Sequence, residues 1–256
     1  MTKQPRTGAA LITGAGQRVG KHLAGALAKA GYYIAVHYRS SDKGAKETAK
    51  SVETAGRMPA LVQADLSDRK DVAALIANAN EALGPLSVLI NCASLFEQDS
   101  LEDFTDDSWS AHFDVNLYAP AKLAQTFAAQ AEAGANNVVI NIIDQRVLKL
   151  TPQFFSYTLT KSALWTATRT MAQALGPAGI RVNGVSPGPV LKNARQSDAD
   201  WEKQNASTIL GRGAKPADVA SAALYLINAP AVTGQMIVAD GGQHLVWQTP
   251  DVLVNE

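Results

Sequence analysis

The run Ala9-Ala10-Leu11-Ile12-Thr13 passes directly into Gly14-Ala15-Gly16-Gln17-Arg18-Val19-Gly20, and an alanine-rich segment with helical spacing, Arg18–Lys29, follows. A short apolar strand, a glycine-rich turn and a helix in that order make an anion-binding corner. Glycine lets the backbone approach a ligand closely, and the helix N-terminus offers unpaired N–H groups and the positive end of its dipole. Gly14, Gly16, Arg18, Val19 and Gly20 are therefore candidate contacts to the phosphates of a dinucleotide. The spacing is not G-x-G-x-x-G, because Val19 occupies the third glycine position, and a glycine cluster alone also fits an ordinary tight turn. Its place between strand and helix favours the dinucleotide.

The same rhythm runs outward from this corner. Strand-like runs recur at Tyr33–Tyr38, Ala60–Ala64, Ser87–Ala93, Val138–Ile143, Arg181–Val185 and Met236–Ala239. Helical candidates lie between them at Lys43–Thr54, Arg69–Ala82, Trp109–Glu132, Phe154–Leu175 and Pro216–Leu226. Alternating strands and helices predict a doubly wound (Rossmann) α/β fold: a parallel seven-stranded sheet with helices on both faces, in three layers. The strand runs are continuously apolar, as strands covered on both faces must be. No linker interrupts the 256 residues, so residues 1–256 are expected to form one domain. The least regular segment, Pro187–Leu210, is polar and lies at the carboxyl edge of the sheet, where a long loop is expected to serve the substrate.

Composition narrows the class of function. Lys plus Arg and Asp plus Glu both number 23, so the net charge is zero and no basic surplus speaks for nucleic acid. The single cysteine, Cys92, excludes an internal disulfide framework. His22, His112 and His244 lack metal-ligand spacing, so no metal is expected. No apolar run approaches the roughly 18 residues of a membrane span, and the N-terminal MTKQPRTG leads into no apolar leader core. The expectation is a cytoplasmic protein that works on a small molecule, without nucleic acid or membrane partners.

The second strand ends in His37-Tyr38-Arg39-Ser40, with no acid before Asp42. An acid there would bind a ribose 2′-hydroxyl; Arg39 and Ser40, with His37 as a possible third group, meet a 2′-phosphate instead, which predicts NADPH over NADH. Farther on, Tyr157-Thr158-Leu159-Thr160-Lys161 puts a phenol and an ammonium one helical turn apart on the same face. A neighbouring cation eases proton exchange at a phenol.

With this pair the whole chain resembles the short-chain dehydrogenase/reductase family. The matching pieces are Thr13–Gly20, Asp65, Asn91-Cys92-Ala93, Asn116, Tyr157-x-x-x-Lys161 and Pro187-Gly188, in family order over nearly the full length. The resemblance implies that Asp65, with Leu66 beside it, lies near the adenine and that Asn91 to Ser94 line the cofactor. It also implies that Asn116 supports a water-linked proton relay through Lys161, which holds the nicotinamide ribose as well. Tyr157 would be the general acid, and Pro187 and Gly188 would pass under the nicotinamide.

Two departures sharpen the reading. Arg18 replaces the middle glycine of the family's turn, and Asp144 stands thirteen residues before Tyr157, where most members have serine. An ionised carboxylate only accepts hydrogen bonds, so it suits an N–H-bearing heterocycle or the protonation of an imine nitrogen rather than a carbonyl oxygen. In both respects the chain resembles the pteridine reductases and short-chain dihydrofolate or dihydromonapterin reductases, which share a segment like His37–Ser40 and an aromatic after the fourth strand, here Phe96. That likeness implies that Arg18 touches both the cofactor phosphates and the pterin edge. Phe96 and Ser94 would border the pterin, and Tyr157, coupled to Asp144 and Lys161, would protonate a C=N bond reduced by NADPH. The end segment Gly241-Gly242-Gln243-His244 resembles the family's and implies a homotetramer. A carbonyl or alcohol substrate, such as a keto-acyl or sugar compound, is the alternative, and Arg146 and Lys149 suit an acidic tail on either. A cofactor sensor without catalysis would need neither Tyr157 nor Lys161.

Overall fold

The computed structural model describes residues 8–249 and Leu253; residues 1–7, 250–252 and 254–256 lie outside the described residues. In chain order the elements are β1 (Gly8–Ile12), α1 (Arg18–Lys29), β2 (Tyr32–Tyr38), α2 (Asp42–Thr54), β3 (Pro59–Gln63), α3 (Arg69–Leu83) and β4 (Val88–Asn91). Then come α4 (Asp106–Phe113), α5 (Ala119–Gln130), β5 (Asn137–Ile142), α6 (Phe155–Leu175), β6 (Ile180–Pro187), α7 (Asp198–Ala206), α8 (Pro216–Asn228) and β7 (Met236–Ala239). All seven strands pair in parallel, in the order β3-β2-β1-β4-β5-β6-β7. The chain winds outward from β1 in one direction, returns, and winds outward from β4 in the other. The carboxyl ends of β1 and β4, paired at Ile12 and Ile90, therefore flank a crevice at the reversal point, where open α/β sheets bind ligands.

Successive strand residues feed opposite faces, and this is why the runs read as unbroken apolar sequence. Ala10, Ile12, Ile34, Val36, Val88, Ile90, Val138 and Ile140 pack with α1, α2 and α8. Their neighbours Ala9, Leu11, Ala35, Leu89 and Val139 pack with α3, α5 and the end of α6. Each large side chain buried this way contributes about 1.5–3 kcal/mol, and the sheet is the middle of three layers.

Two expected elements differ in the structure. The helix expected over Trp109–Glu132 starts earlier, capped by Thr105, whose hydroxyl accepts from Ser108 N at 3.1 Å. It also carries a π-helical turn at Asp114–Tyr118 between α4 and α5. Pro120 accounts for the turn: it has no N–H to return to the Asn116 carbonyl, and its ring crowds that carbonyl. The loop expected over Pro187–Leu210 contains α7, capped by Ser197, whose hydroxyl accepts from Asp200 N at 3.1 Å. Ser197-Asp198-Ala199-Asp200 carries an N-terminal signature, but no residue of α7 is buried, so there was no apolar stripe to betray the helix. Among the described residues no helix is long and apolar enough to cross a membrane, and no cluster of His, Cys, Asp and Glu could hold a metal.

Candidate active site

A cleft of about 910 Å³ opens at the carboxyl edge of the sheet, bordered by the β1–α1 turn, the ends of β2, β4 and β5, the start of α6 and the loop after β6. The turn is pressed against the end of β4. Gly14 has φ +68°, and a Cβ there would sit 3.0 Å from Ala93 Cα; a Cβ on Gly20 would sit 2.3 Å from the Gly14 carbonyl. The Thr13 hydroxyl joins the two strand ends, accepting from Cys92 N at 2.9 Å and Ala93 N at 3.0 Å. Arg18 adopts φ +49°, unusual for a residue with a long side chain. Its guanidinium donates to the carbonyls of Leu191 at 2.9 Å and Lys192 at 3.1 Å, which ties the glycine turn to the loop after β6.

Arg39 and Ser40 stand exposed on the cleft's outer edge, with Asp65 and Leu66 alongside. The Ser67 hydroxyl and N–H, helped by Arg39, hold the Asp65 carboxyl below its ordinary range. His37 differs from the expectation of an anion contact. It is buried; its Nδ1 accepts from Gly14 N at 3.0 Å, and its Nε2 donates to the Ala64 carbonyl at 3.1 Å. Burial lowers its pKa to about 4, so near neutral pH it carries no charge with which to meet a phosphate. It braces the turn.

At the inner end three ionisable side chains converge. Tyr157 Oη donates to Asp144 Oδ2 at 2.8 Å, and Asp144 Oδ1 accepts from Arg146 N at 2.8 Å. Lys161 Nζ donates to the Ile142 carbonyl at 2.8 Å and lies 5.7 Å from the centre of the Tyr157 ring. Burial, and then the Asp144 charge, push the Tyr157 phenol well above its ordinary value; burial raises the Asp144 carboxyl. Burial lowers the Lys161 ammonium to about 8. A phenol thus faces an acceptor oxygen, with a buried lysine beside them whose charge the two also feel.

An aromatic wall adjoins them. Phe96 stacks on Phe154 with centroids 4.2 Å apart and planes 4° from parallel, and meets Tyr157 edge-on at 4.7 Å. Phe154 holds φ +56°, a left-handed conformation that brings its ring onto Phe96. Arg146 lies 4.8 Å over the Phe154 ring and Arg195 5.6 Å over that of Phe96. Arg195 also donates to the Phe96 carbonyl at 2.7 Å and to Glu97 Oε2 at 2.6 Å.

Of the residues singled out in the sequence, Gly14, Arg18, Val19, Gly20, Arg39, Ser40, Asp65, Leu66, Cys92, Ala93, Ser94, Phe96, Asp144, Tyr157, Lys161, Pro187 and Gly188 border this cleft, as does His37. Gly16, Asn91 and Asn116 are not among its lining residues. Asn91 Nδ2 instead donates to Asn141 Oδ1 at 2.8 Å along the sheet. Asn116, fully buried in the π-helical turn, accepts from Leu95 N at 2.8 Å and Ser94 Oγ at 3.1 Å, and donates to the Leu95 carbonyl at 2.9 Å and Thr160 Oγ1 at 3.2 Å. Its side chain therefore clamps the loop after β4 and holds it to Thr160 on α6. Phe154 and Arg195 were missed. A left-handed phenylalanine and an arginine reaching back 99 residues leave no periodic or spacing signal.

A family model described as enoyl-(acyl carrier protein) reductase matches residues 14–244. An uncharacterized oxidoreductase of Methylorubrum extorquens is 35% identical, over 91% of this chain and 96% of its own. A short-chain type dehydrogenase/reductase of Picea abies is 30% identical, over 91% of each chain. The crystal structure of FolM alternative dihydrofolate reductase 1 from Brucella canis, complexed with NADP, is similar at a TM-score of 0.93 and 40% identity, covering 98% of this chain and 100% of that one. Matched from the glycine turn to the end segment, this chain belongs to the short-chain dehydrogenase/reductase family.

Proposed function

We propose that this oxidoreductase uses NADPH to reduce a pterin-type C=N bond, as a pteridine or dihydrofolate reductase does. The observation that carries the reading is the 2.8 Å bond from Tyr157 to Asp144 beside the parallel Phe96–Phe154 rings. A carboxylate there accepts an N–H from a heterocycle, and an aromatic wall suits a flat ring. The 40% identity to the Brucella alternative dihydrofolate reductase, itself complexed with NADP, supports both substrate class and cofactor. The cleft's residues fit that cofactor: the glycine turn has no room for side chains at Gly14 and Gly20, and Arg39 and Ser40 stand where a 2′-phosphate is gripped.

When bound, NADPH would supply the hydride; Lys161 and Arg39 would hold its ribose and its extra phosphate, and Asp65, Leu66, Pro187 and Gly188, which line the same cleft, would border the rest of it. Tyr157 donates the proton to the substrate nitrogen from its protonated phenol. Asp144 orients the phenol and accepts the heterocycle's N–H, while Phe96 borders the ring and Arg18, held by the Leu191 and Lys192 carbonyls, positions the loop after β6 beside it. Exposed Leu210, Leu245 and Trp247 around the end segment support the homotetramer, which the mass in solution tests.

Following NADPH oxidation with dihydrobiopterin, dihydrofolate and a panel of ketones tests the substrate class. The expected kcat/KM for a pterin exceeds that of the best ketone by at least about tenfold, a difference of about 1.4 kcal/mol in transition-state binding. Ketone turnover without pterin turnover would replace this reading with a carbonyl reductase.

A further inference from the structure

We propose that Asp99, in the loop after β4, is a positioning residue for Tyr157, because it caps the catalytic helix α6 from outside. Every helix begins with N–H groups that have no partner within it, and the residue before the first turn commonly satisfies them with its own side chain. At α6 that residue is Phe154, held at φ +56° with no side-chain cap. Asp99 does the task from 57 residues away: its carboxylate accepts from Ser156 N at 3.1 Å (Oδ1) and 3.4 Å (Oδ2), and its carbonyl accepts from Phe155 N at 3.3 Å. Asp99 is only 6% exposed, and no ion pair with it is found among the described residues, so the positive end of α6 is what a buried carboxylate meets there.

The arrangement transmits geometry to one side chain in particular. Tyr157 follows Ser156 directly in the first turn, whereas Lys161 lies one turn deeper and has its own anchor on the Ile142 carbonyl. The loop that carries Asp99 is itself fixed at several points. Asn116 holds both the N–H and the carbonyl of Leu95. The fully buried His112 gives its Nδ1 proton to the Ser108 carbonyl at 2.8 Å, which leaves Nε2 to accept from Glu97 N at 3.3 Å. Phe96, three residues before Asp99, touches the Tyr157 ring. One braced loop therefore supplies the wall against the phenol ring and the cap beneath its backbone. Asp99 does not border the cleft, so its influence on the reaction passes through Tyr157.

The inference rests on Tyr157 as the proton donor, not on the identity of the substrate, so it is tested with whichever compound the substrate panel shows to be reduced. In Asp99→Ala the first turn of α6 loosens, and kcat falls about 10- to 100-fold, the scale of a misplaced catalytic group. The NADPH dissociation constant and the KM stay at their wild-type values. Asp99→Asn, which retains an acceptor oxygen, restores kcat. If Asp99→Ala does not accumulate, Asp99→Glu gives the same reading, since it keeps the charge and displaces the acceptor. A melting temperature that drops while kcat holds would make Asp99 a stability residue only and overturn the proposal, as would a parallel loss of NADPH affinity and kcat. A wild-type enzyme that turns over no compound in the panel refutes the functional reading, whereas wild-type turnover indifferent to Asp99 refutes this one alone.

Discussion

Tyr157 sits at the third position of α6 with its hydroxyl 2.8 Å from Asp144, buried with it and held protonated far into the alkaline range. In the proposed mechanism this phenol gives up the proton. Tyr157→Phe should therefore lower kcat by about 10²- to 10⁴-fold, the usual worth of a positioned general acid. NADPH affinity should stay unchanged, because Lys161 and Arg39 are untouched. Steady-state turnover beside a fluorescence titration of NADPH checks both halves, and undiminished turnover removes Tyr157 from the mechanism. At this scale residue type and short spacing marked side chains that the fold brings to one cleft: the Tyr157–Lys161 pair, Arg39 in place of an acid, Asp144 in place of serine. It was uninformative for Phe154, whose importance comes from a backbone conformation rarely adopted by phenylalanine.

Among the elements, the β1–α1 turn has the least tolerance for change. A Cβ at Gly20 would lie 2.3 Å from the Gly14 carbonyl, and backbone cannot move aside as a flexible side chain can. Gly20→Ala is expected to cost about 1–3 kcal/mol in urea unfolding, the range of an overpacked interior site, and to abolish measurable NADPH binding. Wild-type NADPH affinity in that variant would show that the turn does not cradle the cofactor. The π-helical turn before α5 and the capped α7 also belong to this scale. Pro120 and the Ser197–Asp200 signature were both visible in the sequence, but the apolar stripe of α5 runs on past the π-helical turn and hides it, and α7 has no buried stripe at all.

For the molecule as a whole, His37 couples the fold to pH. Its ring bridges Gly14 in the β1–α1 turn and Ala64 just after β3, and burial lowers its pKa to about 4 in the folded protein. The unfolded chain takes up a proton at this position near the ordinary histidine value of about 6.5. Between those values the unfolded state binds more protons, so stability falls as pH drops from about 6.5 to about 4, by about 3 kcal/mol in all. Above about 6.5 the contribution is fully present. Unfolding of wild type and His37→Gln at pH 7 and pH 4.5 measures it. The variant is expected to be less stable at pH 7 and to lose less on acidification, and equal acid sensitivity in both proteins would assign the slope to other groups.

By itself the sequence determined the layered α/β architecture and the direction of every strand. Those depend on periodicity, turn chemistry and spacings of a few residues, which neighbouring side chains and backbone sterics encode locally. Only the tertiary structure decided that Asp144 meets the Tyr157 hydroxyl, that His37 braces a turn instead of binding an anion, that Asn116 clamps a loop, and that Asp99 caps a helix 57 residues away. Each of these depends on sheet register and on how loops close over the carboxyl edge, and a buried polar group takes whatever partner that closure brings within hydrogen-bonding distance.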